Sequence, residues 1–452
     1  MDIIYKHFLE GLRQAIGSRV DSESRVGAEL KFPLVKFDGS AVNFETICAL
    51  WNYLEEHGWD PVHDAITNEV VGAKKPGEHN ETVASCETGF CKTEFSLAHV
   101  ANLFELEKLI RKLQEELRSF SEKHKVYFLG YGIQPVTPPS QRLLIKKERS
   151  SVFDRVFRSN RYIPEEDGHD IHLFTINAAS HVHVDVPLDE LILAVNVLNA
   201  FSAAQIALTA NSNIWQNQID PKYKCVNEKF WDWWMPDASR VGLPYRPFKD
   251  LEDYVCTVSS FQPIYVKRDG RPIVLTRYRA FEDYFHCERA TGLNPEGQEV
   301  SLIPEKADID LHNSFCWYNA RISRYYTVEN RVNDQQPPHD LACVAALTLG
   351  LVSALPEAWE EVSSYGWKNL RAARETACRS ALNGNSEHFD ITVLAQKMLE
   401  LAELGLRRRG LGEEKFLVPL KNRLRTRRSP ADEAEQLFKN GGIEALLHAR
   451  RL

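Results

Sequence analysis

His181, His183 and Asp185 alternate with Val182, Val184 and Val186 in the segment ASHVHVDV, 179–186. A β-strand turns successive side chains to opposite faces. The segment therefore sets two imidazoles and a carboxylate on one face and three valines on the other. Such a polar face suits a zinc ion, or another metal in company with further acids, or is the wet side of an ordinary strand. Three more strand-like segments carry an acid among apolar residues. Glu29 sits in VGAELKF, Glu94 in KTEFSL with Glu87 seven residues earlier, and Glu329 with Arg331 in YTVENRV. One acid on a half-exposed strand is ordinary. Four such strands in one sheet would crowd carboxylates together, which is unfavourable unless cations compensate.

Zinc prefers thiolate and imidazole. Carboxylates with a single imidazole suit Mg²⁺, which is usually shared with substrate phosphates. Mg²⁺ in turn points to a nucleotide and to phosphoryl transfer, where metal ions bridge the phosphates and an arginine takes developing charge. Arg331 and Arg321 are placed to supply it. The common nucleotide and hydrolase tags are missing: no GxxxxGK[ST], no third glycine after GYG (130–132), no GxSxG and no HExxH.

The elements that must position these residues are legible in outline. The stretch 44–59 has helical spacing, 91–97 reads as a strand, and 99–124 is a long amphipathic helix with Leu103, Leu106, Ile110, Leu113, Leu117 and Phe120 on its apolar stripe. Strands are expected over 125–135, 173–186 and 320–334, and helices over 188–210 and 339–355. The region 211–310 reads as long ordered loops, and the chain is helical and highly charged from about 390. Strands with helices between them, without strict βαβ alternation, favour an α+β architecture with an antiparallel sheet.

The 452 residues are 43% hydrophobic and 26% charged, ordinary globular composition. A net charge of -8 argues against nucleic acid as the main partner. The uncharged stretch 191–210 is long enough to span a membrane. However, Asn196, Asn199, Ser202 and Gln205 recur every three residues, which fits a helix buried in protein. Nine scattered cysteines without a CxxC pair, and a start without a signal-peptide pattern, give the expectation of a reduced, cytoplasmic protein.

Six segments, in order, resemble the glutamate–cysteine ligase family in its plant-type and bacterial carboxylate–amine ligase branches. VGAELKFPL is similar to an opening GxExE strand, TEFSL to an FELS segment, and FLGYGIQP to a GxGxQP strand end. HVHVDV followed by AAQIALTANSNIW is similar to a metal-binding strand, a buried helix and an ANSP-like turn. DASRVG (237–242) resembles a D-x-x-R-x-G loop, and YTVENRVNDQQPP a YxExR-x-x-D strand. The resemblance implies a curved antiparallel sheet of about six strands with helices on its outer face, in a glutamine-synthetase-like architecture. It implies a catalytic domain over 1–390 with the helical segment 391–452 packed on it, in a monomer or homodimer. It implies ATP and two or three Mg²⁺, with Glu29, Glu87, Glu94, His183 and Glu329 as metal ligands and Arg331 as a phosphate contact. Arg240 would hold a substrate carboxylate with Trp233 near it, and Asp185 would be a substrate contact. The implied reaction phosphorylates the γ-carboxylate of glutamate and couples it to an amine, cysteine's in the type reaction.

Two departures stand out. Lys31 occupies the position of the opening strand's second acid, and Asn213 the position of the proline in the turn. On sequence, three other readings stay open: the same ligase chemistry with another acid or amine, a zinc-dependent hydrolase centred on His181, His183 and Asp185, and a non-catalytic nucleotide-binding relative. Cys86 and Cys91 also lie close enough in sequence to invite a disulfide.

Overall fold

The computed structural model describes residues 3–17, 24–64, 67–77, 80–235, 239–384 and 390–452. Its centre is a nine-stranded antiparallel sheet. In chain order the strands are β1 (Val26–Lys36), β2 (Asp60–His63), β3 (Val70–Lys75), β4 (Thr82–Cys86), β5 (Lys92–Ser96), β6 (Val126–Phe128), β7 (Ala179–Val184), β8 (Ala320–Ile322) and β9 (Val328–Asp334). Their spatial order is β8-β9-β7-β1-β5-β4-β3-β2, and β6 pairs the far end of β1. The sheet therefore exceeds the six strands expected. The strands β2, β3 and β4 are only four to six residues long, so their pairing left little pattern in the sequence.

Period-two alternation gives the sheet two unlike faces. Val26, Ala28, Leu30 and Phe32 of β1, and Val182 and Val184 of β7, are buried against the outer helices. The uncharged stretch is one of these helices, bent by 54° between Leu191–Ala200 and Ser202–Thr209. Its polar residues are ties to the sheet. Asn199 donates to the Ala320 carbonyl at 2.8 Å and accepts from the Ala320 N–H at 3.1 Å, completing the edge strand β8. Gln205 Oε1 accepts from Asn330 at 2.7 Å and from Asn333 at 3.2 Å. A buried amide needs such partners, because an unpaired one costs about 1–3 kcal/mol. Among the described residues no single helix is long and apolar enough to cross a membrane.

The helices Cys343–Val352 and Ile391–Arg409 cross with their backbones nearly touching. A Cβ on Gly405 would stand 1.9 Å from the Gly350 carbonyl oxygen, and one on Gly350 2.4 Å from that of Ala402. Neither obstacle is a flexible side-chain end. Gly405→Ala is therefore expected to destabilise the fold by about 1–3 kcal/mol through overpacking, read as a lower urea midpoint. An unchanged midpoint would show that the crossing is looser than described.

The single strand expected over 320–334 is instead the hairpin of β8 and β9, turned where Tyr326 takes positive φ, and three further expectations about elements need correction. The strand expected over 173–186 begins only at Ala179, because Asp170–Thr175 is a 3₁₀ turn. Buried Asp170 holds that turn by accepting from Ser159 Oγ and from the N–H groups of Arg161 and Tyr162. The strand over 125–135 stops at Phe128, since the chain then passes Gln336 and Asp334 too closely for side chains at Gly130 and Gly132. The region 211–310 contains a four-stranded sheet, Tyr265–Arg268, Arg271–Val274, Ala290–Leu293 and Glu299–Leu302, where loops were expected.

The C-terminal helices pack on the same core. Arg423 donates to the Leu208 carbonyl at 3.0 Å and to Asp340 at 2.7 Å. Asn213, in the place of the turn proline, donates to the Ala431 carbonyl at 3.1 Å and accepts from the Tyr131 hydroxyl at 3.3 Å. The departure from the family's turn thus has a structural partner in the C-terminal helix.

Candidate active site

The inner face of the sheet forms the floor of a cleft of about 800 Å³, near the upper end of ordinary small-molecule sites. The register explains why its polar residues meet. On neighbouring strands Arg321 stands opposite Glu329, Glu329 opposite His183, Glu29 opposite His181, and Lys31 opposite Glu94. Glu87 enters from the turn after β4. The ladder between β9 and β7 slips by one residue between Asn330 and Asn333. Bulges of this kind re-aim side chains beside active sites, and this one falls at Arg331. Glu29, Glu87, Glu94, His183, Glu329, Arg321 and Arg331 all line the cleft.

The acids divide into two groups. In the first, the Lys31 ammonium lies 2.6 Å from Glu94, 2.8 Å from Glu87 and 3.6 Å from Glu29. Lys92 adds a contact to Glu87 at 3.2 Å and donates to Asn177 at 2.7 Å. Burial works against charge on Glu87, yet Lys31 and Lys92 outweigh it and hold its pKa well below the usual carboxylate range. Burial likewise opposes charge on Lys31, and the three carboxylates more than reverse it, so the ammonium is retained. Burial, with Glu29 and Glu87 close by, pushes Glu94 up to about 7 although Lys31 pulls the other way.

In the second group, Glu329 is held between two arginines. Arg321 Nε donates to it at 2.8 Å, and Arg331 donates to its other oxygen. Burial raises the Glu329 pKa, but Arg321 and Arg331 bring it well below the usual range. Glu29 accepts from both histidines of the HVHVDV strand, His181 Nδ1 at 3.0 Å and His183 Nε2 at 3.2 Å. His181 is neutral: burial, Lys31 and Arg331 bring its pKa down to about 3. For His183 burial again opposes charge, but Glu329 and Glu29 raise its pKa overall. Glu29, His183 and Glu329 bring ligand atoms within 4.8 Å of one another. Two carboxylates and an imidazole fit a hard divalent cation such as Mg²⁺ or Mn²⁺ whose remaining positions go to water or phosphate. His181 and Asp185 are outside this group, so the zinc triad considered from the sequence is not assembled. Glu87 and Glu94 are outside it too, with Lys31 in between.

The far wall is aromatic. Trp231, Trp234, Trp317, Phe153, Phe174 and Tyr265 line it. Arg331 lies 5.9 Å over the Trp231 ring. Arg149 lies across Phe153 and Phe315 at 5.2 Å from each and faces the cleft. Nothing in the basic stretch 142–161 distinguishes this arginine in the sequence. The tryptophans had a signal, because Trp231 and Trp234 are three apart on the helix Val226–Trp234 and so share a side.

Three expected contacts fall elsewhere. Arg240, Trp233 and Asp185 do not line the cleft. Arg240 donates to the Gln262 carbonyl and lies over Phe261 and Trp317 at 5.0 and 5.9 Å. Trp233 stacks on Tyr162 at 4.9 Å, turned away from the site by the same helical spacing that turns Trp231 and Trp234 in. Asp185 follows the end of β7, where its N–H donates to the Arg25 carbonyl. Asp237 of the DASRVG motif lies outside the described residues.

Cys86 and Cys91 are free thiols, hydrogen-bonded to the carbonyls of Phe90 and Thr175. Burial pushes both up to about 12. The thiolate is the reactive form, so native protein treated with a maleimide at pH 8 is expected to label exposed Cys48 and Cys256 and to spare this pair. Mass mapping that found Cys86 or Cys91 labelled first would contradict this.

The chain belongs to glutamate-cysteine ligase family 2, whose model matches residues 51–449, and membership of that family makes it an ATP-dependent ligase. A chloroplastic glutamate–cysteine ligase of Medicago truncatula is 22% identical over 447 residues, covering 96% of this chain and 82% of the plant protein. The glutamate–cysteine ligase of Francisella tularensis, solved in complex with AMP, superposes with a TM-score of 0.50 at 10% identity, over 95% of this chain and 87% of that one. A bifunctional glutathione synthetase of Pasteurella multocida gives a TM-score of 0.50 at 12% identity. It covers all of this chain, which spans 53% of that protein. At these identities the two structures establish the shared fold.

Proposed function

We propose that the protein joins the γ-carboxylate of glutamate to an amine, with cysteine as the first candidate, driven by ATP. The observation that carries this reading is the placement of two arginines around buried Glu329, next to a Glu29–His183 pair that can hold a divalent cation. A carboxylate is a poor electrophile, and ATP converts it into a good one. A carboxylate oxygen attacks the γ-phosphorus, the bond to the β,γ-bridging oxygen breaks, and ADP leaves. The amine then attacks the acyl carbon, loses a proton, and displaces inorganic phosphate. Both steps bring anions together, so positive charge fixed in a dry cleft is the main aid the protein offers. Arg321 and Arg331 are already oriented by Glu329 and need no reorganisation. Arg149, held flat by Phe153 and Phe315, faces the same space and would take an anionic group of a substrate. A divalent ion at Glu29, His183 and Glu329, supplied as Mg²⁺ with the nucleotide, would lower the repulsion between carboxylate and phosphate.

A second reading keeps this chemistry and changes the amine. The observation behind it is the tryptophan wall, whose large apolar surface suits a flat or bulky partner. The test is ATP-dependent phosphate release with glutamate against a panel of amines, with the product weighed by mass spectrometry. Release stimulated by one amine, with an amide of the summed mass less water, supports the reading and identifies the partner. No stimulation by any amine removes glutamate as the acid. Stoichiometric zinc in purified protein without nucleotide turnover would favour a hydrolase instead.

A further inference from the structure

Lys31 has the setting of a bound ion rather than of a surface salt bridge. Its ammonium meets three carboxylates from separate segments, Glu94 at 2.6 Å, Glu87 at 2.8 Å and Glu29 at 3.6 Å. Its side chain is only 3% exposed, and its backbone N–H is fixed by Gln335 Oε1 at 3.0 Å. Three inward-facing carboxylates around one point form a divalent-cation environment, and here a tethered monocation fills it.

We propose that the Lys31 ammonium is a built-in cation that takes the place of one divalent ion, leaving Glu29, His183 and Glu329 as the position for an exchangeable metal. The inference rests on the ligase reading for why the cleft needs cations at all, but its test does not use turnover. The buried ammonium also links β1 to β5 and to the Glu87 turn. A monocation on a carbon stem cannot bridge to a phosphate as a hydrated ion can, so this corner of the cleft serves as an electrostatic anchor and not as an exchangeable site.

The experiment is Mn²⁺ binding to the full chain without nucleotide, followed by the electron spin resonance of free Mn²⁺, for the native protein and for Lys31→Gln and Lys31→Glu. Both variants are expected to bind one more Mn²⁺ per chain than the native protein, with Mg²⁺ competing at the added site. An equal count in native and variant proteins overturns the proposal and leaves the ligase reading untouched. A gained ion stands even if no acid–amine pair is ever turned over. If a variant loses its fold without metal, recovery of the native circular dichroism spectrum on adding Mn²⁺ supports the proposal, and failure to recover it in both variants overturns it.

Discussion

Arg331→Ala is expected to lower kcat for nucleotide-driven phosphate release by about 10³-fold, the scale set by arginines that neutralise a transferring phosphoryl group. The structure gives three reasons for so large an effect. The guanidinium lies over the Trp231 ring with its side chain only 13% exposed, so its charge acts in a partly desolvated setting. It donates to Glu329, which fixes its direction before any substrate arrives. The slip in the ladder between Asn330 and Asn333 falls at this residue, and its own N–H is held by the Asn319 carbonyl at 2.7 Å. Arg331→Lys keeps the charge but loses the planar fork and the stacking, so it should recover only part of the loss. Steady-state phosphate release, with a melting curve as the check on folding, decides the matter. A variant within threefold of the native rate would remove Arg331 from the reacting centre.

Glu329→Gln is expected to act first on stability. The carboxylate is 2% exposed and sits between Arg321 and Arg331. Removing its charge leaves two half-buried guanidinium groups facing a neutral amide, which can accept from one of them and turns its own N–H groups toward the other. Breaking a buried ion pair from one side costs about 3–5 kcal/mol. Arg321 softens this, because it also donates to the carbonyls of Ser314 at 2.9 Å and Cys316 at 2.6 Å. Arg331 has less to fall back on and is expected to swing out of line, so turnover falls with stability. Urea unfolding of the two proteins side by side gives the result. Coincident midpoints would mean that the arginines do not depend on Glu329.

Much of this site was legible in the sequence because strand periodicity translates directly into faces. The alternation in HVHVDV and in VGAELKF placed His183, Glu29 and Lys31 on the inner surface, and the structure adds only which strands are neighbours. The choice of a hard cation over zinc rests on residue types; in the structure His181 turns to Glu29, and His183 lies beside two acids. The contacts that the sequence misplaced lie on short irregular segments. Trp233 and Trp231 are two apart on one helix and point to different sides, a distinction that a tryptophan-rich string conceals until the helix boundaries are known. Arg240 sits on a loop whose direction depends on packing against Phe261. The four-stranded sheet over 265–302 had a readable turn, since Asp269 and Gly270 both take positive φ between paired strands. Its strands are four residues long and only partly apolar, too short for periodicity to register. The bend in the helix 191–209 left no mark either, because Asn199 and Gln205 fit the pattern of a straight buried helix equally well.

Activation of a carboxylate by phosphorylation leaves an isotopic trace in the phosphate released. Glutamate carrying ¹⁸O in its γ-carboxylate is incubated with ATP, Mg²⁺ and the amine that stimulates phosphate release, and the inorganic phosphate is weighed. One ¹⁸O atom is expected in each phosphate released, because the oxygen that attacks phosphorus leaves with it when the amine displaces it. Phosphate formed in step with amide but free of ¹⁸O would contradict an acyl phosphate and, with it, the role assigned to the cleft.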